Sequence, residues 1–215
     1  MALVFISGAT GFMGRRLSAE LIARGHRVRG LARGGSEKRL AEGVECVCGD
    51  PLDESTFRDR IAPADTFVQL VGVAHPSPAK AAQFRSIDLA SAKAGIQAAS
   101  AAGIRHFIYV SVAHPAPVMK EYIAARTEAE NALRASRLNA TILRPWYVLG
   151  PGRRWPVFLL PIYWIMGALP ATRESARRLG LVNARQMIEA MARAVGKPAE
   201  GVRVLEVPDI RAGRV

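Results

Sequence analysis

Gly8-Ala9-Thr10-Gly11-Phe12-Met13-Gly14 follows the apolar run Leu3-Val4-Phe5-Ile6-Ser7 directly and opens the amphipathic stretch from Phe12 to Arg24. Glycines at such a junction permit a tight turn, let backbone approach a ligand, and let the helix pack closely on the strand. The helix start offers free N–H groups and the positive end of its dipole, an arrangement that suits a pyrophosphate. Strand, glycine loop and helix in this order make the first half of a βαβ unit, and the fold follows from it.

Working outward, β-rich runs recur at Leu3 to Ser7, Arg27 to Ala32, Val44 to Cys48, Thr66 to Gly72, His106 to Ser111 and Ala140 to Leu143. Helical patterns lie between them at Phe12 to Arg24, closed by Gly25, at Leu52 to Ile61, at Ala79 to Ala102, closed by Gly103, and at Tyr122 to Arg137. This alternation predicts an α/β fold, a doubly wound parallel sheet covered on both faces. It stops after Gly150-Pro151-Gly152, and the 63 residues from 153 to 215 are too few for a domain of their own. Residues 1–215 are therefore expected as a single domain, with 153–215 as a small C-terminal cap on the ligand edge. Within the cap, Asn183 and Gln186 predict a capping box for a helix through Val195, and Val202 to Val207 reads as a last strand.

Composition agrees with a globule: 50% hydrophobic and 22% charged residues exclude a disordered polyelectrolyte. The start, Met1-Ala2-Leu3-Val4-Phe5-Ile6, has no basic region before it and is broken by Ser7-Gly8, so it reads as a strand, and a cytoplasmic location is expected. Cys46 and Cys48, at i and i+2, point to one face of an extended chain with Cα atoms near the upper limit for a disulfide; reduced, buried thiols are expected. Net charge is +12 at a pI of 10.8, but the 30 basic residues are scattered and form no reader motif, so nucleic acid is not an expected partner. The charge-free run from Trp155 to Pro170 is too short to span a bilayer as a helix. Its core, Trp155 to Met166, is expected to line an apolar pocket or pack; a dimer contact or a membrane-surface role is open beside that. A homodimer is left open with it.

With these motifs the chain resembles the short-chain dehydrogenase/reductase superfamily in its extended or atypical branch, which uses Gly-x-x-Gly-x-x-Gly at the first turn. The likeness extends to Gly49-Asp50-Pro51-Leu52-Asp53, similar to the adenine-contacting turn, and to Val71-Gly72, similar to the fourth-strand end beside the cofactor. Leu143-Arg144-Pro145-Trp146-Tyr147-Val148-Leu149-Gly150-Pro151-Gly152 is similar to the sixth-strand exit. The resemblance implies a Rossmann fold and a nicotinamide cofactor held by Gly8, Thr10, Gly11, Phe12, Met13, Gly14, Arg33, Asp50, Pro51, Leu52, Val71, Gly72 and Pro145. NAD-selective sites carry an Asp or Glu at the end of the second strand, where Arg33 here offers a planar cation suited to a 2′-phosphate; NADP is expected over NAD. Arg15, Arg16, Ser36 and Lys38 are further candidates near that phosphate.

For catalysis the superfamily pattern is a Ser or Thr ending the fifth strand, then Tyr-x-x-x-Lys on the next helix. Ser111 ends the strand, and Tyr122-Ile123-Ala124-Ala125-Arg126 follows 11 residues later. Tyr122 would move a proton at a carbonyl or carbinol oxygen and Ser111 would orient that oxygen, while Arg126 departs from the pattern, keeping the charge in a bulkier, rigid fork. The segments Val71-Gly72-Val73-Ala74-His75-Pro76-Ser77-Pro78 and Val110-Ser111-Val112-Ala113-His114-Pro115-Ala116-Pro117 echo one another. They put His75 and His114 on neighbouring strand exits as substrate-side candidates with Trp146; convergence there is one reading, and a loop histidine packed between prolines is the leading alternative. Two histidines without a third ligand make no metal site.

The expected function is an NADP-binding oxidoreductase acting on a small-molecule carbonyl or hydroxyl compound. Against it stands a non-catalytic NAD(P)H-binding regulator, or an accessory or assembly protein similar to the NAD(P)H-binding subunit of respiratory complex I, a reading that Arg126 favours. A nucleotide-sugar epimerase or dehydratase is the weaker third reading, because the C-terminal segment leaves little room for a nucleotide-diphosphate subsite.

Overall fold

Five consecutive buried residues, Leu3–Ser7, form the central strand β1, and its side chains alternate between two cores. Leu3 and Phe5 enter one hydrophobic cluster, Val4 and Ile6 the other, as the two-residue period of a strand buried on both faces requires. The protein is described from a computed structural model, which covers residues 1–116, 118–150 and 178–215.

The sheet has seven parallel strands in the order β3-β2-β1-β4-β5-β6-β9, with β2 Arg27–Ala32, β3 Glu45–Cys48, β4 Thr66–Gln69, β5 His106–Val110, β6 Ala140–Arg144 and β9 Val202–Glu206. The order reverses beside β1, so the crevice beyond the carboxyl ends of β1 and β4 is where a doubly wound sheet receives its ligand. A separate parallel pair joins β7, Tyr147–Leu149, to β8, Leu181–Asn183.

Helix α1, Phe12–Ala23, covers one face together with α5, Ala184–Gly196. Helices α3, Ala90–Ala101, and α4, Lys120–Ala135, cover the other. On that second face Phe5, Phe67 and Phe107 share one register row across β1, β4 and β5, with stacked ring centroids 5.2 and 5.1 Å apart. Such pairs add about 0.5–1.5 kcal/mol each beyond their area burial.

Several expectations need correction. The segment Leu52 to Ile61 is two 3₁₀ turns, Glu54–Thr56 and Arg58–Arg60, rather than a helix. Asp53 Oδ1 accepts from the Ser55 N–H at 3.0 Å, and the Thr56 hydroxyl donates to the Asp53 carbonyl at 2.7 Å, so local side-chain bonds take the backbone groups a helix would use. The run from Ala79 to Ala102 is not a uniform α-helix: a 3₁₀ turn, Pro78–Lys80, and a short α-turn α2, Ala81–Gln83, lead into a π-helical turn, Phe84–Leu89, before α3. Cys46 and Cys48 are free but exposed, because β3 is an edge strand on which only Val47 turns to the core.

The capping box is present, with Gln186 N–H donating to Asn183 Oδ1 at 2.8 Å. Residues 184–215 extend the sheet through β9 and cover a face through α5 and α6, Val207–Ala212. The expected pocket segment Trp155 to Met166 and the rest of 151–177 lie outside the described residues. Among the described residues, no helix is long and apolar enough to cross a membrane.

Candidate cofactor and active site

Gly8 sits at φ +88°, and a Cβ there would lie 2.9 Å from the Leu70 carbonyl carbon and 3.0 Å from the Val71 nitrogen. The first turn is thus pressed against the exit of β4, at the reversal of strand order. A Cβ at Gly14 would stand 2.2 Å from the Gly8 oxygen, so this glycine is what lets α1 seat against the loop. Gly11 is the N-cap, with no side chain capping the helix and no acidic residue in the first turn. The N-terminal N–H groups of α1, at Phe12, Met13 and Gly14, are left for an outside acceptor, which fits a dinucleotide's pyrophosphate. Thr10 and Met13 are half-buried in this turn, and Phe12 is exposed under the Arg16 guanidinium, 3.9 Å above its ring.

At the next strand exits Arg33 is exposed just past β2, and its carbonyl accepts from the Ser36 hydroxyl at 2.6 Å. The loop's own carboxylate, Glu37, accepts from the Gly35 N–H at 3.1 Å. After β3, Asp50 Oδ1 accepts from the Leu52 N–H at 3.0 Å, a turn across Pro51 that leaves the Leu52 side chain exposed. These residues present a cation and an apolar surface on the side of the crevice expected to hold an adenosine.

The β4 exit leads to the chemistry-bearing helix. A Cβ at Gly72 would lie 2.4 Å from an Arg126 guanidinium nitrogen and 3.1 Å from Asp88 Oδ1. Arg126 and Asp88 form a buried ion pair at 2.6 Å, and Asp88 Oδ2 also accepts from the Val73 N–H at 2.8 Å. Asp88 reaches this point from the π-helical turn. Arg126 further donates to the Val110 carbonyl at 2.7 Å and to the Tyr109 hydroxyl at 3.4 Å, and it lies 5.1 Å from the Tyr122 ring centroid. Burial opposes its charge, but Tyr122, Tyr109 and Asp88 outweigh that and raise its pKa. Burial pushes the Tyr109 phenol up to about 12, against the pull of Arg126. Tyr122 is half-buried, tilted against Phe84 with centroids 5.0 Å apart.

Ser111 is buried, and its hydroxyl donates to Glu130 Oε1 at 2.6 Å. Glu130 is itself buried, gripped by Arg144 at 2.5 and 3.0 Å, and Arg144 also pairs with Glu206 at 3.0 Å. Burial works against the Glu130 carboxylate, yet the bonds from Arg144 and Ser111 hold its pKa below the ordinary range. A carboxylate only accepts, so the Ser111 proton is committed and Ser111 is left with lone pairs to offer.

The structure thus places Arg126 and the Tyr122 ring beside Gly72 at the exit of β4, while Ser111, at the end of β5, is bonded to Glu130 one turn beyond Arg126 on α4. The two histidines have different surroundings. His114 turns inward, with Nε2 3.5 Å from Glu130 Oε1, whereas His75 is exposed at φ +51°. Pro145 is buried with its carbonyl accepting from the Ala113 N–H, and Trp146 lies edge-on to Tyr147 at 5.5 Å. Asp88, Tyr109, Glu130 and Arg144 were not singled out from sequence. Glu130 was within reach, since Tyr122, Arg126 and Glu130 recur every four residues along one helix face.

A family model described as NAD(P)H-binding matches residues 8–153. The chain is 29% identical over 212 residues to a ceramide reductase of Caulobacter vibrioides, covering 97% of this chain and 65% of that protein. It is 24% identical over 168 residues to a 4-hydroxy-2-methyl-3-oxo-4-farnesyl-3,4-dihydroquinoline-1-oxide ketoreductase of Stigmatella aurantiaca, covering 68% and 50%. The chain therefore spans less than two-thirds of the length of these curated relatives. Among solved structures, the Bordetella bronchiseptica enzyme WbmH in complex with NAD+ superposes with a TM-score of 0.71 at 19% identity, over 96% of this chain and 75% of that one. A short-chain dehydrogenase/reductase superfamily protein of Agrobacterium tumefaciens with bound NAD gives 0.68 at 19%, over 98% and 82%. The glycine cradle, the strand order and the family match agree, and the chain belongs to the NAD(P)H-binding family, carried on a Rossmann fold.

Proposed function

We propose that the protein is an NADP-dependent oxidoreductase that interconverts a carbonyl and a hydroxyl group on a lipophilic substrate, with Tyr122 moving the proton. One observation carries this reading: an unbroken chain of contacts runs from the glycine loop through Leu70 and Val71 to Gly72, from Gly72 to Arg126, and from Arg126 to the Tyr122 ring. This continuity supports a site in which the Tyr122 phenol and the Arg126 charge serve a cofactor held by the glycine loop. When bound there, a nicotinamide supplies or accepts the hydride. Gly8, Gly11 and Gly14 admit the pyrophosphate, Arg33 supports a 2′-phosphate, and Asp50 to Leu52 border the adenine. Tyr122 gives or takes a proton at the substrate oxygen, and Ser111 accepts a hydrogen bond from a substrate hydroxyl or from Tyr122. Asp88 holds Arg126 in place. Both curated relatives are named for lipophilic compounds, a ceramide and a farnesyl-bearing quinoline oxide, which supports the substrate class.

The test is NADPH oxidation with a panel of long-chain 3-oxo lipids and prenylated ketones. Tyr122→Phe is expected to keep NADPH affinity within about threefold and to lose about 10²-fold or more in turnover. A second reading, a non-catalytic NAD(P)H-binding regulator or accessory protein, draws on one specific observation: Arg126 is committed to Asp88 and the Val110 carbonyl, and Ser111 to Glu130. Micromolar NADPH binding without turnover of any ketone, aldehyde or quinone would favour it.

A further inference from the structure

On the edge strand β3, Cys46 Sγ and Cys48 Sγ stand 4.0 Å apart, both exposed and both free. They are the chain's two cysteines. A direct disulfide would have to close this gap to about 2.05 Å between residues whose Cα atoms, two steps along an extended strand, already lie roughly 6.6 Å apart, near the limit for such a bond. A single soft atom bonded to both sulfurs needs far less movement. Two bonds of about 2.3 Å, the length of a zinc–thiolate bond, at roughly 100 to 110° put the sulfurs about 3.5 to 3.8 Å apart.

A structural metal ion would require further protein ligands, and among the described residues no group of three or more His, Cys, Asp or Glu is placed to hold one. A centre that brings its own third substituent has no such need. We propose that Cys46 and Cys48 form a dithiol capture site for trivalent organoarsenicals and like thiophilic centres. With an organoarsenic oxide, each thiol gives up its proton, two As–S bonds form, and the oxide oxygen leaves as water; arsenic stays trivalent, and no oxidant is consumed.

The site touches the cofactor loop. Glu37 Oε1 takes the Cys48 thiol at 3.7 Å and the Gly35 N–H at 3.1 Å, two residues from Arg33. Bridging therefore withdraws Cys48 from the residue that braces this loop, and NADPH binding should weaken severalfold. This coupling rests on the cofactor reading above; the capture itself does not.

The test treats reduced, full-length protein with phenylarsine oxide. Intact mass should rise by one phenylarsine oxide less one water, with both thiols lost to a thiol reagent. The adduct should survive an excess of monothiol and be released by a dithiol. Cys46→Ser and Cys48→Ser should each hold the arsenical ~100-fold less tightly, since the second bond is intramolecular. Release of the wild-type adduct by monothiol, or equal retention by either variant, would overturn the site. Capture with unchanged NADPH affinity would overturn only the link to the cofactor loop.

Discussion

The Ser111 hydroxyl donates to Glu130 Oε1 at 2.6 Å, and that carboxylate is locked by Arg144 on its other side. Ser111 therefore meets a ligand as an acceptor. Glu130→Gln replaces the committed acceptor by an amide that can also donate, which frees the serine proton. In the proposed reaction, the variant should shift KM for the hydroxyl and carbonyl forms of one substrate in opposite directions. Parallel shifts in steady-state kinetics would show that the bond is structural only.

Arg126→Lys restores the residue type of the superfamily pattern, but lysine has no fork to bind Asp88, the Val110 carbonyl and the Tyr109 hydroxyl together. A loss of about 1–3 kcal/mol is expected in urea unfolding. Asp88→Asn, which leaves the guanidinium buried with no counter-charge, should lose more, about 3–5 kcal/mol. Near-wild-type unfolding of both variants would contradict the buried pair.

Gly14→Ala places a methyl 2.2 Å from the Gly8 oxygen and 2.7 Å from the Ala9 Cα, both backbone atoms that cannot step aside. Calorimetry should find NADPH binding lost by at least tenfold together with a lowered Tm. Gly25→Ala is the contrasting case, a glycine at φ +80° with nothing within 4 Å of its Cβ position; there only the strain of a left-handed alanine is expected, with NADPH affinity unchanged.

In the proposed function, cofactor choice turns on Arg33. NADPH should bind at least tenfold more tightly than NADH, about 1.4 kcal/mol per decade, and Arg33→Asp should shrink or reverse the gap. Equal affinities in the unmodified protein would remove the case for NADP.

His106 is fully buried beside Thr141, and burial, aided by Arg203, lowers its pKa to about 4. The unfolded chain binds this proton near pH 6.5, so the stability is complete above that pH and is lost as the pH falls from 6.5 towards 4, by about 3 kcal/mol in all. Glu130, depressed in the fold, adds its own loss only at pH values below the ordinary carboxylate pKa of 4.5. Denaturation midpoints between pH 7 and 4.5 should fall less steeply in His106→Gln than in the wild type.

Sequence carried the sheet well: Leu3–Ser7 is a continuous apolar run closed by Gly8, and Arg27–Ala32, more polar at its start, is set off from the first helix by Gly25; both match residue for residue. It failed where side chains compete with backbone, as at Asp53 and Thr56, and where burial depends on strand position, as at the exposed cysteines of β3. Asp88 was illegible for a different reason. It reads as one charge on an amphipathic helix, and only the extra residue of a π-turn, which leaves no composition signal, aims it at Arg126. The glycine loop and the Tyr122 face of α4 could be read because each depends on local spacing; the ionic partners of that face, Arg144 and Asp88, lie 14 and 38 positions away in the chain.

Tyr122, Arg126 and Glu130 occupy successive turns of α4, and each is tied to a different neighbour: Phe84, Asp88 and the Ser111–Arg144 pair. The helix is pinned at three heights along one side. Substitutions here cannot accumulate one at a time, since every intermediate strands a charge or a hydroxyl. A descendant of this sequence that lost the charge at either 88 or 126 would need both residues to change together, and divergence at this helix should proceed in paired jumps.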